Sequence, residues 1–87
     1  MTKKNILKHT RRILNDVNTD NFIGPLIEAK QFLRSHIGEG AESFISELSD
    51  ITYRQNVTQP KTVDSIREVL NSFIKYVEND LLETTVG

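Results

Sequence analysis

The two histidines, His9 and His36, are the side chains of this sequence best suited to catalysis or metal binding. A zinc site needs about four ligands drawn from cysteine, histidine and carboxylate side chains. The chain has no cysteine and offers no convincing ligand set around either histidine. A helical ribonuclease of the HEPN type places its histidine farther from the arginine than His36 lies from Arg34. We therefore expect both histidines to be structural or surface residues, and we predict no metal site.

The glycine-containing segments do not predict a phosphate site. A phosphate-binding loop follows a strand and ends in lysine and a hydroxyl residue. Gly24-Pro25 and Gly38-Glu39-Gly40 have neither feature and fit helix boundaries instead. We expect no catalytic residue, no cofactor and no small-molecule substrate, and thus a protein that is not an enzyme.

The first helix is basic, and its basic side is the first candidate binding surface. Lys4, Lys8, Arg11 and Arg12 fall within about 100° on the side opposite the apolar stripe. Such a face could bind the phosphates of a nucleic acid or another anion. A solvated helix face is the alternative, favoured by a net charge of −1 and by the lack of interleaved aromatic residues. The acidic second half of the chain offers a further explanation, because opposite charges would attract the two halves of the fold.

The second and third helices, joined by a short turn, superficially suggest a helix-turn-helix. The third helix carries Glu42, Glu47 and Asp50, and these carboxylates would face a phosphate-lined groove. We therefore do not expect this helix to bind DNA.

Three apolar residues miss the apolar stripes of their helices: Ile27, Phe32 and Tyr53. They predict a small exposed patch for another protein. We expect Tyr53 to be exposed. Phe32 could belong to the patch or could contact a second neighbouring helix.

Apolar periodicity predicts the elements that position these residues. In residues 62–82, Leu70, Phe73 and Val77 lie within about 40° of Ile66 on a helical projection. The whole apolar arc is roughly 160° wide, so this helix needs more than one neighbour to cover it. Similar patterns predict helices at about 2–17, 24–37, 41–54 and 62–82.

Turn residues predict the helix boundaries. Asp20 or Asn21 is expected to cap the second helix, and Gly38 to end it in a left-handed conformation. Pro60 is expected to exclude a helix just before it, so that Thr62 caps the fourth helix. The connection between the second and third helices is short, which predicts that they run antiparallel.

Composition limits the class of protein. A chain of 87 residues forms one domain, 1–87, and without cysteine it has no disulfide. A membrane span needs about 20 apolar residues and a signal peptide about 7, and no run approaches either length. We expect a cytoplasmic protein with no membrane contact. The predicted fold is all-α, a four-helix antiparallel up-and-down bundle, and its core is formed by Ile6, Ile13, Val17, Leu26, Leu33, Phe44, Leu48, Ile66, Leu70, Phe73 and Val77.

Two stretches resemble a known kind of module. One runs from Ala29-Lys30-Gln31-Phe32-Leu33 through Gly38 to Phe44, Leu48 and Ile51, and the other is residues 69–82, ending in Glu78-Asn79-Asp80-Leu81-Leu82. They resemble small helical modules ahead of effector domains in bacterial multidomain proteins, including TIR-like proteins of conflict systems. The resemblance covers about 26–82 and departs at Asp80, where a glycine is expected. It implies a non-catalytic adaptor or assembly module whose effector is absent from this chain.

These observations predict a function in protein–protein interaction or self-association, without catalysis. A nucleic-acid or anion-binding protein that uses the basic first helix is one alternative. A small regulatory or inhibitor protein that occludes a larger target is another.

Overall fold

Four α-helices form the described part of the chain. The structure, a computed structural model, describes residues 2–53 and 59–79. The helices are Lys3–Asp16 (α1), Ile23–His36 (α2), Glu42–Tyr53 (α3) and Gln59–Glu78 (α4), and a 3-10 turn, Gly38–Ala41, leads into α3.

The helices pack in a ring. Helix α1 packs on α2 and α4, and α3 packs on the same two helices. At one end, Lys3 Nζ donates to the carbonyl of Glu78 at 3.2 Å. Beyond the other end of α1, the Val17 carbonyl accepts from Arg67 Nη2 at 2.9 Å, so α1 and α4 run antiparallel. The predicted all-α, antiparallel up-and-down four-helix bundle is confirmed.

One apolar core lies inside the ring, and every residue predicted for it is buried. Phe73 of α4 has no exposed surface and meets Phe44 of α3 edge-on, with ring centroids 5.2 Å apart. The edge-to-face arrangement adds to the stabilisation that burial provides. Thr10 is buried among these residues, and its hydroxyl donates to the Ile6 carbonyl at 2.7 Å, which satisfies the polar group.

The α1–α2 turn is held by one asparagine. Asn18 Oδ1 accepts from the backbone amides of Asp20 and Asn21, each at 2.9 Å. Helix α2 then begins at Ile23 with Phe22 as its N-cap and with no side-chain cap bond. The prediction that Asp20 or Asn21 caps α2 is wrong, because the Asn18 side chain draws both residues into the preceding turn.

The end of α2 follows the prediction. Gly38 has a φ of 72°, the left-handed conformation in which a side chain would be strained. The amide of Ile37, the C-cap residue, donates to the Leu33 carbonyl at 3.1 Å. The chain then turns through the 3-10 segment, which replaces the irregular linker expected at 38–40.

Helix α4 begins earlier than predicted. It starts at Gln59, so Pro60 is its second residue and Thr62 is buried within the helix instead of capping it. Proline is tolerated there because first-turn positions have no intrahelical partner for an N–H group. The loop predicted at 55–61 is wrong for residues 59–61, which are helical, and its residues 55–58 lie outside the described part of the chain. Glu78 is the last residue of α4 in the structure, and the predicted end at 82 lies outside the described residues.

Replacing Phe73 with alanine should lower the free energy of unfolding by about 4 kcal/mol, because the ring is wholly buried and would leave a cavity. Asn71→Ala, at an exposed position of the same helix, should change it by less than about 0.5 kcal/mol. Chemical denaturation followed by circular dichroism measures both values. Equal losses at the two positions would contradict the described packing of α4.

Candidate protein-interaction surface

Two large apolar side chains of α2 face solvent. Ile23 is 52% exposed and Ile27 is 45% exposed, and they are the only exposed large hydrophobic residues in the described part of the chain. They lie one helical turn apart, so their side chains are neighbours on the helix surface. The opposite face of α2 packs into the core through Leu26, Ala29 and Leu33. Helix α2 therefore has an apolar strip outside the core as well as one inside it.

Two basic residues continue this surface toward the end of α2. On a helical projection, Lys30 and Arg34 lie within about 60° of Ile27. Arg34 is exposed and Lys30 is half-buried. Neither forms an ion pair with any residue in 2–53 or 59–79. We call Ile23, Ile27, Lys30 and Arg34 together the α2 outer strip.

Phe32 does not belong to the exposed patch that the sequence suggested. Phe32 is 5% exposed, and its ring stacks on His9 of α1 with centroids 4.1 Å apart and planes 3° from parallel. The other interpretation, contact with a second helix, is confirmed. The structure describes the backbone of Tyr53 but not its side chain. Ile27 is therefore the one member of the predicted patch that the described part of the structure shows as exposed. Sequence reasoning missed Ile23, although the same projection places it about 40° from Ile27.

The histidines pack around Phe32. His36, at the exposed end of α2, is tilted against the Phe32 ring at a centroid distance of 5.2 Å. His9 Nε2 lies 3.4 Å from Arg12 Nη2. Within residues 2–53 and 59–79, no three histidine or carboxylate side chains come together as a metal site would require. Both histidines lie at the α1–α2 contact, where their rings pack against Phe32.

The basic face of α1 is partly neutralised by neighbouring helices. Arg11 Nη2 donates to Glu78 Oε2 of α4 at 2.9 Å, and Arg12 Nη2 donates to Glu28 Oε2 of α2. The hydrogen bond to Glu28, together with the attraction of its charge, raises the pKa of Arg12. The Arg11–Glu78 pair supports the expected attraction between the basic first helix and the acidic second half of the chain, whereas Glu28 lies in the first half.

Lys4 and Lys8 complete the basic face without such partners. Both side chains are exposed and border the same surface hollow as Arg11 and Arg12. The structure gives neither lysine an ion pair among the residues it describes. The four predicted anion-binding residues thus lie together, but only the two lysines have uncompensated charge.

A surface groove of about 600 Å³ lies between α3 and α4. Ile51 and Val69 provide its apolar lining, and Lys61 lies among its polar residues. Its acidic side chains have no ion pair or hydrogen bond within the described ranges: Glu47, Asp50, Asp64 and Glu68. We call this surface the α3–α4 groove.

No protein-family model, curated protein or solved structure matches this chain. None of the helices in 2–53 and 59–79 combines the length and the apolar character needed to cross a bilayer.

Ile27→Ser should change the free energy of unfolding by less than about 0.5 kcal/mol, because the side chain is half exposed and the two residues have similar helix propensities. Phe32→Ser, five residues later on the same helix, should cost about 3 kcal/mol or more because it removes a buried ring. Thermal and chemical unfolding measure both. A large loss at Ile27 would show that it belongs to the core and would remove it from the candidate surface.

Proposed function

We propose that this protein is a non-catalytic protein-interaction module and that the α2 outer strip is its contact surface. The observation that carries the proposal is the exposure of Ile23 and Ile27 side by side in a bundle whose other large apolar residues, within the described ranges, are buried or partly buried. Removing apolar surface from water contributes about 25 cal/mol per Å². A neighbouring pair of exposed isoleucines therefore offers a partner a favourable contact that the fold itself leaves unused.

The charges beside the isoleucines define the kind of partner. Lys30 and Arg34 bring positive charge to the same strip. A complementary surface has an apolar centre with carboxylates at its rim. From Ile23 to Arg34 the strip is about 16 Å long, which suits a small, reversible contact better than an obligate interface.

The resemblance to helical modules of bacterial effector proteins agrees with such a role but does not carry the proposal. Its apolar positions include Phe44, Leu48, Leu70 and Phe73, which are all buried in the core. Core packing alone accounts for that spacing, whereas it does not account for Ile23 and Ile27.

Site-specific photo-cross-linking tests the proposal. A benzophenone amino acid placed at Ile27 should capture one predominant partner in cells that express the protein at its natural level, because this side chain faces the partner. Asn15, exposed on the outer face of α1, provides the matched control position. The protein carrying the label at Asn15 should give at most a tenth of that product, as measured by gel mobility and mass spectrometry.

Two results would contradict the proposed surface. One is the absence of any product from position 27 at a labelling efficiency equal to that of the control. The other is the same product in equal yield from positions 27 and 15, which indicates contact without preference for α2.

Anion binding by α1 is a second candidate function. The specific observation in its favour is that Lys4 and Lys8 are exposed, one turn apart, and without an ion pair in the described part of the chain. Two such charges beside Arg11 and Arg12 could follow a phosphate backbone.

If α1 binds nucleic acid, Lys4→Glu plus Lys8→Glu should weaken binding at least about tenfold, and binding should fall steeply as salt rises. The double variant leaves both interhelical arginine pairs intact, so the fold should be unchanged. Fluorescence anisotropy with single- and double-stranded oligonucleotides measures the affinity. Equal affinity of the variant and the natural protein would rule out this placement of the site.

A further inference from the structure

We infer that the α2 outer strip of one copy docks into the α3–α4 groove of a second copy. This inference rests on the proposed function and names its partner as the chain itself. The two surfaces are complementary in both apolar character and charge. The groove has the apolar residues and carboxylates that a partner of the strip needs.

The groove supplies carboxylates, which the strip lacks, and an apolar lining for the isoleucines of the strip. Its carboxylates come from both walls, Glu47 and Asp50 from α3 and Asp64 and Glu68 from α4. None of them is paired within 2–53 and 59–79, whereas Asp16, Glu28 and Glu78 each pair with an arginine of α1. Four unpaired carboxylates therefore lie beside an apolar lining formed by Ile51, which is half-buried, and Val69, which is 9% exposed. Glu39 and Glu42, also unpaired in the described part of the chain, border a separate hollow next to Arg34.

The spacing of groups on the two surfaces also agrees. Ile23 and Ile27 are one turn apart, as are Lys30 and Arg34 farther along the strip, and a helix laid in a groove presents anchors at such intervals. On the groove side, Asp64 and Glu68 are likewise one turn apart on α4. A helix seated between α3 and α4 can therefore bury its isoleucines while its basic residues face carboxylates.

Other pairings of the same surfaces are less complementary. Two α2 outer strips packed on each other would bury the isoleucines but would bring the basic residues of both copies together. Glu39 and Glu42 border the same hollow as Arg34, but they are fewer than the four carboxylates that line the groove. The basic face of α1 could approach the groove, but Arg11 and Arg12 are engaged within their own chain, and the exposed side chains beside them are polar.

The positions of the two surfaces determine the form of the assembly. Helix α2 packs on α1 and α3, whereas the groove lies between α3 and α4, so the strip and the groove occupy different sides of the bundle. A contact between two different surfaces does not close a dimer and leaves a free strip at one end and a free groove at the other. The chain should therefore form a concentration-dependent series of oligomers.

Sedimentation velocity over a concentration series tests this geometry with three variants. The strip variant is Ile27→Ser plus Arg34→Glu, and the groove variant is Asp64→Lys plus Glu68→Lys. The control variant, Lys4→Glu plus Lys8→Glu, changes the basic face of α1. All of these positions have exposed side chains, and circular dichroism with thermal unfolding confirms that each variant folds.

The natural protein should assemble beyond the dimer at low salt, and its association constant should fall several-fold as ionic strength rises. The strip and groove variants should each associate at least about tenfold more weakly, and the control should match the natural protein. An equimolar mixture of the strip and groove variants should form a one-to-one dimer and nothing larger, because it contains one intact strip and one intact groove. If the two charge reversals of the groove variant impair its folding, Asp64→Asn plus Glu68→Gln replaces that variant and should also weaken assembly.

Several results would overturn the inference. A natural protein that stays monomeric at all concentrations removes the second copy as partner, while a cross-link from position 27 to a different protein would leave the proposed function standing. Unchanged assembly of the groove variant excludes the groove, and loss of assembly in the control assigns the contact to α1. A mixture of strip and groove variants that forms no dimer also contradicts it.

Discussion

The fold depends on the wide apolar face of α4, which one neighbouring helix cannot cover. Ile66, Leu70 and Phe73 are almost wholly buried because α1 and α3 both pack on this helix. Helix α2 then closes the ring from the opposite side. This arrangement uses the apolar stripes of the helices internally, so the exposed pair of isoleucines on α2 stands out as surface that folding does not require.

The charged side chains of the bundle also fall into two groups, those paired within the fold and those left unpaired. On the α1 side, Arg11 and Arg12 pair with carboxylates of α4 and α2 and so join three helices. These pairs are exposed, and pairs of that kind contribute little to stability. On the α3–α4 side the carboxylates stay uncompensated, and on α2 the bases Lys30 and Arg34 do as well. The α2 outer strip and the α3–α4 groove therefore carry unpaired charges of opposite sign in the described part of the chain.

The architecture could be predicted from the sequence because helical periodicity is a strong signal when the buried arcs are wide. The whole predicted core and the left-handed Gly38 are confirmed. The predicted start of α4 was wrong because proline is compatible with a first helical turn as well as with a loop. Phe32 could not be placed because its burial depends on His9 of another helix, a tertiary contact that periodicity along α2 does not contain. The exposure of Ile23 could have been predicted, because a helical projection places it on the same side of α2 as Ile27.

The central claim is that the bundle buries its apolar faces and leaves Ile23 and Ile27 in solvent. Methyl NMR of the isoleucine-labelled protein with a soluble paramagnetic agent, at a concentration where it is monomeric, tests this directly. The account predicts strong broadening of the Ile23 and Ile27 methyl signals and little broadening for Ile6, Ile13 and Ile66, which are at most 1% exposed. Equal broadening of both groups, or protection of Ile27, would contradict it.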